Sequence, residues 1–196
     1  MREILDVCCG GRMWWHDKAD ARAIYMDNRE LDCTLCDGRA FRVSPDVIAD
    51  FRAIPYPDAA FQMVLFDPPH LRTVGKNAFL AKKYGILGDN WRADIRQGFA
   101  ECFRVLKLGG TLVFKWSESQ IKLSEILKLT TQKPVVLHKK NKTHFVIFLK
   151  TNSNENGVQA AAEAAFKAQS ENLSNGKAAR RLARVGRKAL KKTGGK

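Results

Sequence analysis

Apolar residues along the first 150 positions fall into short runs separated by polar, Gly- and Pro-containing stretches. Short apolar runs bounded by turn formers predict strands, and apolar positions recurring every three or four residues predict helices. A first strand is expected over Glu3–Cys8, closed by the tight Gly10-Gly11 pair. A poorly periodic stretch holding Trp14 and Trp15 follows; these rings either cover a ligand or pack, and the pattern does not separate the two. A second strand over Ala23–Met26 ends on Asp27, and a short third, Val47–Ala49, ends on Asp50. A fourth, Met63–Phe66, runs into Asp67-Pro68-Pro69-His70. Beyond a long connection over residues 70–93, Ile95, Phe99, Cys102, Phe103 and Leu106 recur at helical spacing. They predict a helix from about Ala93 to Leu106, ended by the glycines of Lys107-Leu108-Gly109-Gly110. Thr111–Trp116 reads as a fifth strand and Ile121–Leu129 as a helix. Val135–Leu137 and His144–Leu149 read as a closing antiparallel pair joined by the Lys139–Lys142 turn. Strands alternating with helices predict an α/β protein with a mostly parallel sheet.

Composition changes the picture beyond residue 150. Residues 151–196 are rich in Ala, Asn and Lys, with few large apolar side chains. They carry ten basic residues against three acidic ones, which is +7 of the chain's net +14. The expected organisation is one domain over residues 1–150 and a basic, flexible or marginally helical tail over 151–196. A pI near 9.8 favours polyanionic partners, so nucleic acid is the expected partner. No apolar run approaches the ~20 residues of a membrane span. The N-terminus enters a strand directly, with no signal-peptide pattern, so a cytoplasmic location is expected. Oligomeric state is left open. Five cysteines at irregular spacing argue against a disulfide framework. Cys33-x-x-Cys36 has no second pair to complete a structural zinc site, so no metal is predicted.

The candidate chemistry lies where strands end. In open α/β sheets ligands bind outside the carboxyl ends of the strands. The two prolines after Asp67 lock φ twice and remove two donors, leaving a stiff turn lined by acceptors that suits an amino group. Asp27, about 20 residues beyond the first loop, stands where a carboxylate takes two ribose hydroxyls. Asp50 and Phe51 are placed to hold an adenine amino group and cover its face. Asp6-Val7-Cys8-Cys9-Gly10-Gly11 fails the G-x-G-x-x-G dinucleotide pattern.

That first loop instead resembles the D-x-[small]-x-G loop of class I S-adenosylmethionine-dependent methyltransferases. With Asp67-Pro68-Pro69-His70 added, the chain resembles amino-methyltransferases carrying a [D/N]-P-P-[aromatic] motif. It is similar to small phage and prophage methyltransferases with a DPPH motif. Asp6–Gly10, Phe66–Leu71, Lys83–Gly85 and Phe114–Trp116 match in order over residues 1–150. The resemblance implies a Rossmann-like class I methyltransferase sheet, mostly parallel with an antiparallel last strand and flanked by helices. It implies S-adenosyl-L-methionine as cofactor, held by Asp6, Cys8, Gly10, Asp27, Asp50 and Phe51. It further implies transfer of methyl to an exocyclic amine of a nucleic-acid base, DNA adenine N6 ahead of RNA or cytosine N4. Asp67, Pro68, Pro69 and His70 are then catalytic, and Lys83, Tyr84, Trp91 and Lys115 contact the substrate, with Lys76, Lys82 and Arg92 on the same wall. Base methyltransferases with this motif carry Tyr, Phe or Trp where this chain has His70, whose imidazole is smaller and expected to be partly protonated near neutral pH. A protein or small-molecule methyltransferase, or a non-catalytic nucleic-acid-binding protein on the same fold, remain the competing expectations.

Overall fold

Residues 2–75 and 79–152 are described by the structure, a computed structural model. In chain order the elements are β1 (Ile4–Asp6), β2 (Ala23–Asp27), β3 (Leu31–Thr34), β4 (Ala40–Val43), β5 (Val47–Ile48) and β6 (Phe61–Phe66). They continue with α1 (Phe79–Tyr84), α2 (Trp91–Val105), β7 (Leu106–Ser117), α3 (Leu123–Leu127), β8 (Val136–Lys140) and β9 (Thr143–Leu149). Seven strands form one sheet in the order β5-β2-β1-β6-β7-β9-β8. Pairing is parallel from β5 to β7, and β9 runs antiparallel to both β7 and β8. This is the expected Rossmann-like class I methyltransferase sheet. Strand order reverses at β1, whose neighbours are β2 and β6, so a crevice opens at the carboxyl ends of these strands.

One face of the sheet carries the main core. Along β7 and β9 buried residues alternate with partly exposed ones, as a strand covered on one side requires. Val64, Phe66, Leu112, Phe114, Val146 and Phe148 meet Ile95, Phe99 and Cys102 of α2 and Ile126 of α3. The rings pack edge-on or tilted, with Phe66, Phe99 and Phe114 mutually 4.9–5.6 Å apart. The opposite face holds a smaller cluster of Cys9, Ala23 and Tyr25 under Trp15.

Several local expectations need correction. The helix ends at Val105 and the chain is extended from Leu106, which pairs with Phe61, so Gly109 and Gly110 do not end a helix. They clasp the end of β9 instead: Gly109 N–H donates to the Lys150 carbonyl at 2.8 Å, and Lys150 N–H to Gly110 at 2.9 Å. The expected Ile121–Leu129 helix is shortened to Leu123–Leu127. The β3–β4 hairpin lies between β2 and β5, where no element was expected. It holds Cys33 in β3, and no cluster of three or more potential metal ligands occurs among the described residues. No helix among those residues is long and apolar enough to cross a membrane. The chain divides at Lys150, and the expected helices of the tail lie outside the described residues.

Gly98 lets α2 approach the sheet. A Cβ there would lie 2.7 Å from ring carbons of both Phe51 and Phe66. Gly98→Ala gains about 1 kcal/mol of helix propensity but forces two packed rings aside, at about 1–3 kcal/mol. The expected outcome is a lower urea midpoint at unchanged m-value. A midpoint above wild type would show that the Phe51–Phe66 contact yields freely.

Candidate active site at the carboxyl ends of the strands

The ends of β1, β2, β6 and β7 converge on a cleft of about 670 Å³. On its β1–β2 side the Asp27 carboxylate is almost fully buried. Its Oδ2 accepts the Gly10 N–H at 2.9 Å, which fixes the loop after β1 to the end of β2. Its Oδ1 accepts the Arg29 N–H at 3.0 Å and Arg29 Nε at 3.1 Å. Arg29 also donates to the Lys82 carbonyl of α1 at 3.2 Å, so one guanidinium joins the acid to the opposite wall. Phe51 lines the cleft and packs on Phe66 with ring centres 5.4 Å apart.

On the β6–β7 side the sheet register decides the arrangement. Leu65 pairs with Val113 and Phe66 with Phe114, so the next residues, Asp67 and Lys115, stand side by side on one face. Lys115 Nζ donates to Asp67 Oδ2, and each side chain is about one-fifth exposed, 20% and 19% respectively. Burial pushes the Asp67 carboxyl above the usual carboxylate range, and the adjoining ammonium opposes that rise. Among the described residues no backbone N–H takes the Pro68 carbonyl, as the double proline predicts. Asp6 is on the same sheet face, fully buried, with Trp15 Nε1 donating to its Oδ2 at 2.7 Å. Burial raises its carboxyl to about 7, the Trp15 bond opposes this, and the charge of Asp67 adds to the rise. Trp14 lines the cleft, with its ring 5.3 Å from Lys115 Nζ and 6.2 Å from the Phe145 ring.

The turn after Asp67 is buttressed by α1. Gly85 ends that helix at φ +73°, its N–H bonded to the Ala81 carbonyl at 2.9 Å. A Cβ at Gly85 would meet Pro69 Cγ at 3.0 Å, so helix end and motif are in direct contact. This lays the Tyr84 ring 5.3 Å from His70, with Trp116 6.3 Å away on another side. Burial pushes the His70 imidazole down to about 4, and the positive charge of Lys115 pushes the same way. His70 is therefore neutral near pH 7, which corrects the expectation of partial protonation.

A second groove, about 940 Å³, adjoins this cluster. Asp67, His70, Tyr84 and Lys115 line both spaces. Among the described residues, the remainder of the groove is Leu71, Leu80, Ser117, Ser119, Gln120 and Thr143, with no charged side chain. Gln120 fixes one wall: its Oε1 accepts the Arg72 and Thr73 N–H groups at 2.6 and 3.1 Å, and its Nε2 donates to the Thr73 carbonyl at 3.1 Å.

Most residues singled out in the sequence meet here. Cys8, Gly10, Asp27, Phe51, Asp67, Pro68, Pro69, His70, Lys83, Tyr84 and Lys115 all line the first cleft, and Asp6 lies beneath it. Two do not. Trp91 is a core residue, 2% exposed, because the first turn of α2 aims it inward with Ile95. Asp50 is outside the lining, with both oxygens engaged by Arg52 at 2.7–2.9 Å, and Arg52 is tied onward to Asp94. That pairing recurs as Asp-x-Arg at Asp20, Asp27, Asp37 and Asp50, each aspartate accepting the backbone N–H two residues on. The spacing is visible in the sequence and identifies Arg29, which sequence reasoning missed. Lys76 lies outside the described residues. Ser117, Ser119, Gln120 and Thr143 carried no sequence signal of their own.

No protein-family model and no curated protein sequence matches the chain. Among solved structures, it is similar to the PH0226 protein of Pyrococcus horikoshii at 13% identity and a TM-score of 0.50, over 76% of this chain and 82% of that one. A Methanosarcina mazei protein described as a SAM-dependent methyltransferase aligns at 11% identity and a TM-score of 0.48, over 76% and 92% of the two chains. The Burkholderia thailandensis 1,6-didemethyltoxoflavin-N1-methyltransferase aligns at 13% identity and a TM-score of 0.45, over 76% and 71%. The likeness to the Pyrococcus protein is one of fold.

A histidine whose pKa falls from 6.5 to about 4 on folding takes up its proton more readily in the unfolded chain. Its contribution to stability is therefore lost as pH falls from 6.5 towards 4. The stability difference between His70→Phe and wild type is expected to move in favour of the variant across that window, measured by urea unfolding at each pH. A difference independent of pH would place His70 in water rather than among Tyr84, Lys115 and Trp116.

Proposed function

We propose that the protein transfers a methyl group from S-adenosylmethionine to an exocyclic amino group of a nucleic-acid base, DNA adenine N6 first. The observation that carries this reading is that one cluster, Asp67, His70, Tyr84 and Lys115, lines both the cleft and the groove. Two reactants, one in each space, would meet at Asp67.

The first cleft has the donor set for the cofactor. Asp27 would accept from ribose hydroxyls, Phe51 would cover adenine, and the Cys8–Gly10 backbone would admit the methionine part. Arg29 moves off the Asp27 carboxylate or shares it. Bound S-adenosylmethionine supplies an electrophilic methyl group on a sulfonium.

The remaining chemistry belongs to the chain. An exocyclic amine conjugated to its ring is a weak nucleophile. Lys115 engages Asp67 Oδ2 and leaves Oδ1 and the Pro68 carbonyl to accept the two amine hydrogens. Held so, the nitrogen turns its lone pair to the methyl group, and the carboxylate stabilises the positive charge that develops. Lys115 acts as a positioning residue that favours the ionised Asp67. The neutral His70 ring, backed by Tyr84, offers the base an aromatic surface without a competing positive charge. A duplex substrate must flip its base to reach this turn. The basic segment 151–196 adds sequence-independent affinity by neutralising phosphates.

The test is transfer of labelled methyl from S-adenosylmethionine to DNA, RNA and protein pools. Label is expected in nucleic acid, with Asp67→Ala lowering the rate about 10²–10³-fold at unchanged cofactor affinity. Asp27→Ala is expected to weaken cofactor binding by about 1.5–3 kcal/mol, the range for hydrogen bonds to a charged group. Label confined to protein would end the base-methylation reading, and full activity of Asp67→Ala would end the mechanism.

A further inference from the structure

The β8–β9 hairpin places a cation, Lys140, on the sheet face that holds the candidate active site, with Lys142 at its tip. Side chains directly opposite in an antiparallel pair share a face, and residues two apart along a strand share it too. Ser117 pairs with Thr143, and Thr143 with Lys140, so these three form one row across the sheet. Lys115, Phe145 and His138 form the row beside it. Both rows therefore share a face with Lys115, the residue paired to Asp67. Ser117 and Thr143 line the second groove, so Lys140 stands one strand beyond its floor.

The tip of the hairpin is a two-residue turn, with Asn141 at φ 57° and Lys142 directly before Thr143. The Glu118 N–H donates to the Lys142 carbonyl at 2.8 Å, holding the tip against the end of β7. Lys139 and His144 are on the opposite face, and both engage Glu118, at 2.6 and 3.1 Å. Lys140 and Lys142 are exposed and have no acidic partner among the described residues. Among the described residues, the groove lining carries no charged side chain besides the Asp67–Lys115 pair. A neutral slot bordered by unpaired cations on its outer side suits a ligand that is neutral at one end and anionic at the other.

Resting on the reading under Proposed function, we infer that Lys140 and Lys142 bind the phosphate backbone of the strand whose base enters the second groove. The hairpin tip thereby supplies backbone contacts within the first 150 residues, apart from the basic segment that follows them. These contacts carry no sequence information; they set where along the strand the base is presented.

The experiment compares the full-length protein with a Lys140→Gln/Lys142→Gln variant. A control, Lys122→Gln/Lys128→Gln, removes the same charge beside α3, on the core side of the sheet. Binding of a fluorescent single-stranded oligonucleotide is measured across a salt series. Two lost phosphate contacts are expected to make the slope of log K against log[salt] shallower by about 1.4. Affinity is expected to fall several-fold at low salt, with S-adenosylhomocysteine binding unchanged. An unchanged slope, or an equal loss in the control, overturns the inference. Methyl transfer is read on the same preparations: wild type that labels no nucleic acid shows that the base-methylation reading has failed, whatever the slopes.

Discussion

The ion pair between Asp67 and Lys115 is the constraint around which the site is arranged. It follows from register rather than from any local motif: two parallel strands in step place these residues next to each other. Desolvation works against the carboxylate, and the ammonium works against desolvation. Removing one partner of a fully buried pair costs about 3–5 kcal/mol. At one-fifth exposure the cost here is smaller, so the pair serves the chemistry of the acid more than the stability of the fold. Lys115 also faces Trp14, which ties the loop after β1 to the same point.

Around this pair the chain sets groups that leave it in a weakly polar shell. Tyr84 and Trp116 flank His70, and α1 is pinned on Pro69 through Gly85. Arg29 reaches from Asp27 to the same helix. The two halves of the site are thus braced by one short helix, which lies in the connection following the motif turn. The core on the other face, built from α2 and the aromatic residues of β6, β7 and β9, holds the strands in step and so holds the pair.

Much of this was legible in the sequence because strands ending on acids carry a local pattern. The succession of main-sheet strands along the chain, the Asp27 and Asp67 ends and the Lys83-Tyr84-Gly85 segment all followed from runs and motifs. Asp50 was misread because an acid at a strand end looks the same whether it faces a ligand or closes an Asx turn. At Asp50 the arginine two residues on takes both oxygens and the acid lies outside the cleft lining, whereas Asp27, with an arginine at the same spacing, lines the cleft. Trp91 was misread because an aromatic beside a cation suits a nucleic-acid surface, yet its place in the first turn of α2 buries it. The β3–β4 hairpin was missed although Asp37-Gly38 sits between alternating apolar residues, a recognised turn signal. The second groove had no local signal, since Leu71, Gln120 and Thr143 meet only through tertiary structure.

The central claim is that cofactor and acceptor approach Asp67 from two different spaces. A crystal structure of the protein with S-adenosylhomocysteine tests it most directly. The account predicts the ribose at Asp27, the adenine against Phe51 and the sulfur directed towards Asp67, with the groove bounded by Leu71, Gln120 and Thr143 left open. S-adenosylhomocysteine seated in that groove, or bound away from Asp27 and Asp67, would contradict it.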